Sequence, residues 1–212
     1  MKPESLSVLS FARELKVAVS GRFYVQPPAD KKDQKWPMLL FLHGMNHAAT
    51  LFELEAPPKL AQGGGLPLAV VSPVFEGLRW SIDMLLGVIE EACDRFPIDM
   101  QRIYVSGISI GGLATWELAL RRPDLPAAIV PVCGAGQPWN AFRIAHVPTW
   151  AFHGAKDDVV PARESEAMVR ALQAAGSDAR LTVYPEEGHR VWNRVFADAE
   201  VWEWLLRQQK AA

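Results

Sequence analysis

The chain is predicted to fold as an α/β domain, a mostly parallel sheet with helices on both faces, on three observations. Short β-branched apolar runs alternate along it with longer segments of helical spacing. Several runs are apolar at successive positions, as strands covered on both faces are. One of them enters Gly107-Ile108-Ser109-Ile110-Gly111 and leaves it as a helix-forming stretch, a strand–turn–helix junction around a serine. At 212 residues the chain suits one domain with a sizeable core, and two would be cramped. With no linker, repeat or low-complexity segment visible, residues 1–212 read as a single domain.

Taken in order, residues 15–25 alternate well enough for one or two antiparallel edge strands. Residues 26–35, with Pro27-Pro28 and a lysine cluster, read as a solvated turn. Trp36–Leu42 is a buried strand that runs into His43-Gly44-Met45-Asn46-His47. Pro57-Pro58 and Gly63-Gly64-Gly65 leave room only for a short helix or a loop, and 68–72 is the next buried strand. Ile82, Leu85, Leu86, Ile89, Cys93 and Phe96 recur at helical spacing, with Ser81 placed to cap the start and Pro97 to end it. Residues 102–106 form the strand before the serine turn, and 113–122 the helix after it, stopped by Pro123. Strands then follow at 127–133, 148–152 and 180–184, a helix at 162–175 with Gly176 as its stop, and a closing helix at 196–208.

Composition excludes several function classes. A formal charge of -2 offers no electrostatic attraction to nucleic acid or an anionic membrane. Two cysteines, Cys93 and Cys133, each in an apolar stretch, read as buried free thiols rather than a disulfide framework. No apolar run approaches membrane-spanning length and Met1-Lys2-Pro3-Glu4-Ser5 opens no secretory leader, so a soluble, cytoplasmic protein is expected. Neither an H-E-x-x-H nor a Cys/His ligand spacing is present, so no metal is called for, and no glycine-rich dinucleotide fingerprint follows a first strand. No cofactor is expected.

The serine turn asks for partners. A serine hydroxyl is a weak nucleophile until a base within hydrogen-bond reach takes its proton and a third group orients that base. In an open α/β sheet such groups lie on loops at the carboxyl ends of strands. Two later loops carry them: His153-Gly154-Ala155-Lys156-Asp157-Asp158 after one strand, and Pro185-Glu186-Glu187-Gly188-His189 after the last. Of the five histidines, His43 and His153 directly follow apolar strands and precede glycine, which suits structural turns, while His47 and His146 lie in connections. His189 is the expected base and Asp157, in preference to Asp158, the expected acid. The order Ser109, Asp157, His189 is that of the α/β-hydrolase triad. Backbone N–H groups of Ile110 and Met45 are the expected oxyanion donors.

From Trp36-Pro37 to the C-terminus the chain resembles compact α/β-hydrolase esterases of the phospholipase/carboxylesterase, dienelactone-hydrolase-like and PHB-depolymerase-like group, which residues 1–30, the N-terminal edge strands, match only loosely. The resemblance rests on Leu40-Phe41-Leu42-His43-Gly44, on Ser72-Pro73 followed by Arg79-Trp80-Ser81, and on Asp99 with Arg102-Ile103-Tyr104. It continues through the long motif beginning at Gly107, through 147–157, and through Gly188-His189 before Trp192. It implies an α/β-hydrolase fold and the nucleophile, acid and base roles at Ser109, Asp157 and His189. After His43-Gly44 the loop departs from the small residues and charged pair usual there and reads Met45-Asn46-His47-Ala48-Ala49. Residues 134–147, where many α/β-hydrolases insert a lid, are too few for a cap domain. An open site is therefore expected, suited to short-chain or small-acyl esters, with Trp80, Trp139 and Trp192 as candidates to line it. The expected activity is that of a serine carboxylesterase acting on a small-molecule ester. A serine peptidase or thioesterase shares the same triad, and a non-catalytic binding protein on this fold would need none of it.

Overall fold

A computed structural model describes residues 18–29, 35–46, 48–53, 56–62 and 65–210. His47 and the part of the expected N-terminal edge strands before residue 18 lie outside them. Seven strands form one mixed sheet in the order β1-β3-β2-β4-β5-β6-β7. They are β1 (Arg22–Gln26), β2 (Trp36–Leu42), β3 (Ala69–Val74), β4 (Ile98–Ile108), β5 (Ala128–Val132), β6 (Trp150–Gly154) and β7 (Arg180–Tyr184). Only β1 runs antiparallel, paired with β3 at the sheet edge. The other neighbours are parallel. Strand order reverses between β2 and β4, which in open α/β sheets marks the crevice where ligands bind.

Alternation along the strands builds two cores. From β2, Met38, Leu40 and Leu42 point to one face, where α2 (Ile82–Arg95), α3 (Ile110–Arg121) and α4 (Arg163–Ala174) bring Leu85, Ile89, Trp116, Met168 and Leu172. Leu39 and Phe41 point to the other, beneath α1 (Pro57–Leu60), α5 (Trp192–Ala197) and α6 (Ala199–Leu206), which contribute Phe196, Val201, Trp204 and Leu205. Both faces being covered explains the unbroken apolar run of β2. The Ser81 hydroxyl accepts the Met84 N–H at 3.3 Å and caps α2, as its position before the periodic residues predicts.

Three elements differ from expectation. The helix after the serine begins at Ile110, three residues early by sequence, because Gly111 and Gly112 are poor helix formers retained for close packing. A Cβ at Gly111 would lie 2.0 Å from the Leu42 carbonyl oxygen. The closing helix at 196–208 is instead two helices, since Asp198 is extended (φ -81°, ψ 115°) and its carboxylate accepts the Glu200 N–H to cap α6. The connection between β5 and β6 holds a 3₁₀ helix, Pro138–Ile144, and no inserted cap. No helix among the described residues is long and apolar enough to cross a membrane.

Candidate active site

Ser109 ends β4 and begins α3 with φ 56° and ψ -120°, a left-handed backbone that a residue with a Cβ adopts only under constraint. The constraint is visible. Ser109 N–H donates to the Val132 carbonyl at 3.0 Å, and a Cβ at Gly107 would lie 2.4 Å from the Gly111 carbonyl oxygen. The turn is thus held tight enough to lift the hydroxyl above the sheet.

The other two residues come from the ends of β6 and β7. His189 Nε2 lies 2.9 Å from Ser109 Oγ, and His189 Nδ1 lies 2.7 Å from Asp157 Oδ2. Since the carboxylate can only accept, Nδ1 carries the proton and Nε2 is free to take one from the serine. The Asp157 side chain is fully buried, while the His189 ring keeps 15 % of its surface exposed. Asp157 Oδ1 accepts the N–H groups of Val159 at 2.9 Å and Val160 at 2.8 Å. Burial pushes this carboxyl up, but the His189 hydrogen bond, the Val160 and Val159 N–H groups and the imidazole charge outweigh it and hold the group below the usual carboxylate range. Asp158, the rejected alternative, is exposed.

The remaining sequence-selected residues are placed as follows. Ile110 is the first residue of α3, where helix geometry leaves its N–H without an intrahelical acceptor. Leu42 pairs in register with Gly107, so the turn through Met45 emerges beside the elbow; Met45 is 42 % exposed and Asn46 is left-handed at φ 61°. Trp192 is buried with its ring edge-on to His189, centroids 6.1 Å apart. Trp80 is buried against the ring of His43 and donates its indole N–H to the His43 carbonyl at 3.3 Å. Trp139, on the 3₁₀ helix, is 73 % exposed. A cavity of about 300 Å³ opens beside Ile110, walled by Leu78, Leu113, Trp116 and Leu120, with the Arg79–Glu117 ion pair at 2.7 Å. A larger groove of about 940 Å³ lies between β1 and α2, and neither space is lined by Ser109, Asp157 or His189.

The other described histidines are held by backbone or core. His43 Nδ1 meets the Gly44 carbonyl at 2.7 Å while Nε2 accepts the Phe75 N–H at 3.2 Å, tying the loop after β2 to the end of β3. His146 sits at the surface, 3.1 Å from the Pro123 carbonyl. His153 is fully buried and approaches Asp157, a contact that its place directly after a strand did not suggest.

Among the described residues one group has metal-ligand spacing: ligand atoms of Cys133, Asp157 and His189 lie within 4.8 Å of one another. The fit is poor. Burial pushes the Cys133 thiol up to about 12, with the Ser109 N–H pulling it down and the Asp157 charge pushing it further up. Binding would therefore have to strip a tightly held proton and break the His189–Asp157 hydrogen bond.

Comparison with known proteins points to hydrolases. The prolyl oligopeptidase family (Peptidase_S9) matches residues 135–211, which include Asp157 and His189. A protein of Escherichia coli (strain K12) named "Putative carboxymethylenebutenolidase" is 30 % identical over 100 residues, covering 43 % of this chain and 37 % of that one. "Putative esterase NocK" of Nocardia uniformis subsp. tsuyamanensis is 27 % identical over 171 residues, 71 % of this chain and 49 % of its own. The chain thus spans less than half the length of these curated relatives. The crystal structure of a thermostable esterase superposes with a TM-score of 0.74 at 27 % identity, over 89 % of this chain and 59 % of that one. The chain has the α/β-hydrolase fold and is similar to esterases of that superfamily.

Proposed function

We propose that the chain is a serine carboxylesterase that hydrolyses short-chain or small-acyl esters through an acyl-enzyme on Ser109. The observation that carries this reading is the unbroken relay from Ser109 Oγ to His189 at 2.9 Å and from His189 to Asp157 at 2.7 Å, mounted on a strained turn. As the serine oxygen attacks the ester carbonyl, its proton passes to His189 Nε2, and Asp157 stabilises the imidazolium. The carbonyl oxygen takes negative charge, which the N–H groups of Ile110 and Met45 and the N-terminal end of α3 stabilise. Collapse expels the alcohol with the proton from His189. Water then attacks the acyl-enzyme with His189 as base, and the acid leaves.

Substrate size follows from the space. The cavity beside Ile110, about 300 Å³ and lined by neither Ser109 nor His189, is at the small end for ligand pockets, and as the acyl site it suits a small acyl group better than a long chain. The same reading makes the protein a cytoplasmic enzyme of a small-molecule ester, needing neither membrane nor nucleic acid. The test is hydrolysis of p-nitrophenyl acetate, butyrate and octanoate by wild type beside Ser109→Ala. Activity highest on the short esters and lost in the variant is expected; activity on octanoate equal to that on acetate would refute the size argument. A peptidase reading draws on the prolyl oligopeptidase match over 135–211, and cleavage of peptide p-nitroanilides in preference to esters would favour it.

A further inference from the structure

We propose that His153 is a positioning residue of this site, aligning Asp157 for His189 through a buried N–H; this rests on the reading of Ser109, Asp157 and His189 as the catalytic set. The His153 side chain is fully buried at the end of β6, four residues before the acid. Its Nε2 lies 2.8 Å from the Val160 carbonyl oxygen and 3.1 Å from Asp157 Oδ2. Both neighbours are acceptors, so Nε2 carries a proton and donates to them. Its Nδ1 lies 2.7 Å from Ser165 Oγ on α4, and that hydroxyl is 3.3 Å from the Gly134 carbonyl after β5.

This assembly fixes the carboxylate from three sides. Val160 is gripped twice: its carbonyl by His153 and its N–H by Asp157 Oδ1. With Oδ1 committed to the Val159 and Val160 N–H groups, Oδ2 is the oxygen left to face His189 Nδ1. The His153 N–H, a second donor on Oδ2 at 3.1 Å, opposes rotation of the carboxylate away from that line. A base misaimed by about 1 Å costs on the order of 10²-fold in rate, so a donor that holds the acid contributes through the base it orients. The fully buried ring, its two nitrogens both occupied, is more than a packing residue after a strand needs.

The test uses two variants that keep different halves of the ring's bonding. His153→Gln places an amide N–H near the position of Nε2, whereas His153→Asn places one near Nδ1 and leaves Val160 and Oδ2 without a donor. Active sites are counted by titration with an alkyl fluorophosphonate, so unfolded protein does not enter. Two rates are then read: phosphonylation of Ser109, and turnover of p-nitrophenyl acetate per titrated site. The Gln variant is expected within about threefold of wild type in both rates, and the Asn variant slower by about tenfold or more in kcat with KM within twofold. Equal rates for the two variants, or a slower Gln variant, would overturn the proposal, as would a His153→Leu variant, which fills the space without a donor, that matches Gln rather than Asn in kcat per titrated site. Wild type inert to the probe would overturn the catalytic reading and this proposal together; a reactive wild type with indistinguishable variants overturns this proposal alone.

Discussion

Replacing Asp157 with asparagine tests the relay at one atom. The Asn amide can face either way. With its oxygen toward the turn, it keeps the N–H bonds of Val159 and Val160, at 2.9 and 2.8 Å, and turns NH₂ toward His189 Nδ1, giving up the longer His153 contact at 3.1 Å, whose N–H keeps the Val160 carbonyl. With its oxygen toward His189, it keeps the 2.7 Å bond but sets NH₂ against two backbone donors that cannot move without unwinding the turn. An imidazole changes tautomer far more readily than a turn rearranges, so the first arrangement wins. His189 Nδ1 must then accept and Nε2 must carry the proton, pointing a donor at Ser109 Oγ where a base is required. In serine hydrolases with this wrong tautomer kcat falls about 10⁴-fold, which is about 5 kcal/mol of barrier. The assay is steady-state hydrolysis of p-nitrophenyl acetate, with thermal melting as control. The fold should survive, because the Val159 and Val160 bonds do. A loss of less than tenfold would refute the argument that Asp157 sets the tautomer of His189.

Two further perturbations follow from the packing and the buried titratable groups. Gly111→Ala would place a methyl 2.0 Å from the Leu42 carbonyl oxygen and 2.8 Å from that of His43, so a loss of about 2–4 kcal/mol in denaturant unfolding is expected; a change under about 0.5 kcal/mol would show that α3 can draw back from β2. Burial pushes the Tyr104 phenol up to about 12, with Arg102 pulling it down and Asp99 pushing it up, and its hydroxyl donates to the Gln208 carbonyl at 2.9 Å. A raised folded pKa means stability fully present below the unfolded value near 10 and lost as pH rises through about 12, a loss of about 2–3 kcal/mol. Urea midpoints across that window should fall more steeply for wild type than for Tyr104→Phe, and parallel slopes would contradict this.

What the sequence made legible depends on which residues signal locally. Trp36–Leu42 and Arg180–Tyr184 coincide with the observed strands because apolar or β-branched runs there are bounded by turn residues. β4 reaches back to Ile98, since Asp99 and Gln101 sit in its half-buried, polar first half and mask the strand. The split at Asp198 was hidden because an Ala-Asp-Ala step reads as continuous helix, although aspartate is also a preferred N-cap. For the proposed site, chain order and loop position point to Ser109, Asp157 and His189, whose side chains meet across three strand ends. His153 was read only as a turn residue. Its signal was faint: a histidine leading into Gly154, four residues before the acid, with Ser165 reaching it from a helix that no local pattern connects to β6. Nor could sequence divide the tryptophans, since Trp80 and Trp139 look alike as residues and differ wholly in burial.

The most direct measurement is to locate the trapped covalent intermediate. Wild type quenched in acid during turnover of p-nitrophenyl acetate, then digested and analysed by mass spectrometry, should carry a single acetyl group on the hydroxyl of Ser109. His189→Ala should accumulate that adduct far more slowly. An acetyl group found elsewhere, or formed equally fast without His189, would contradict the assignment of Ser109 as the nucleophile and His189 as its base.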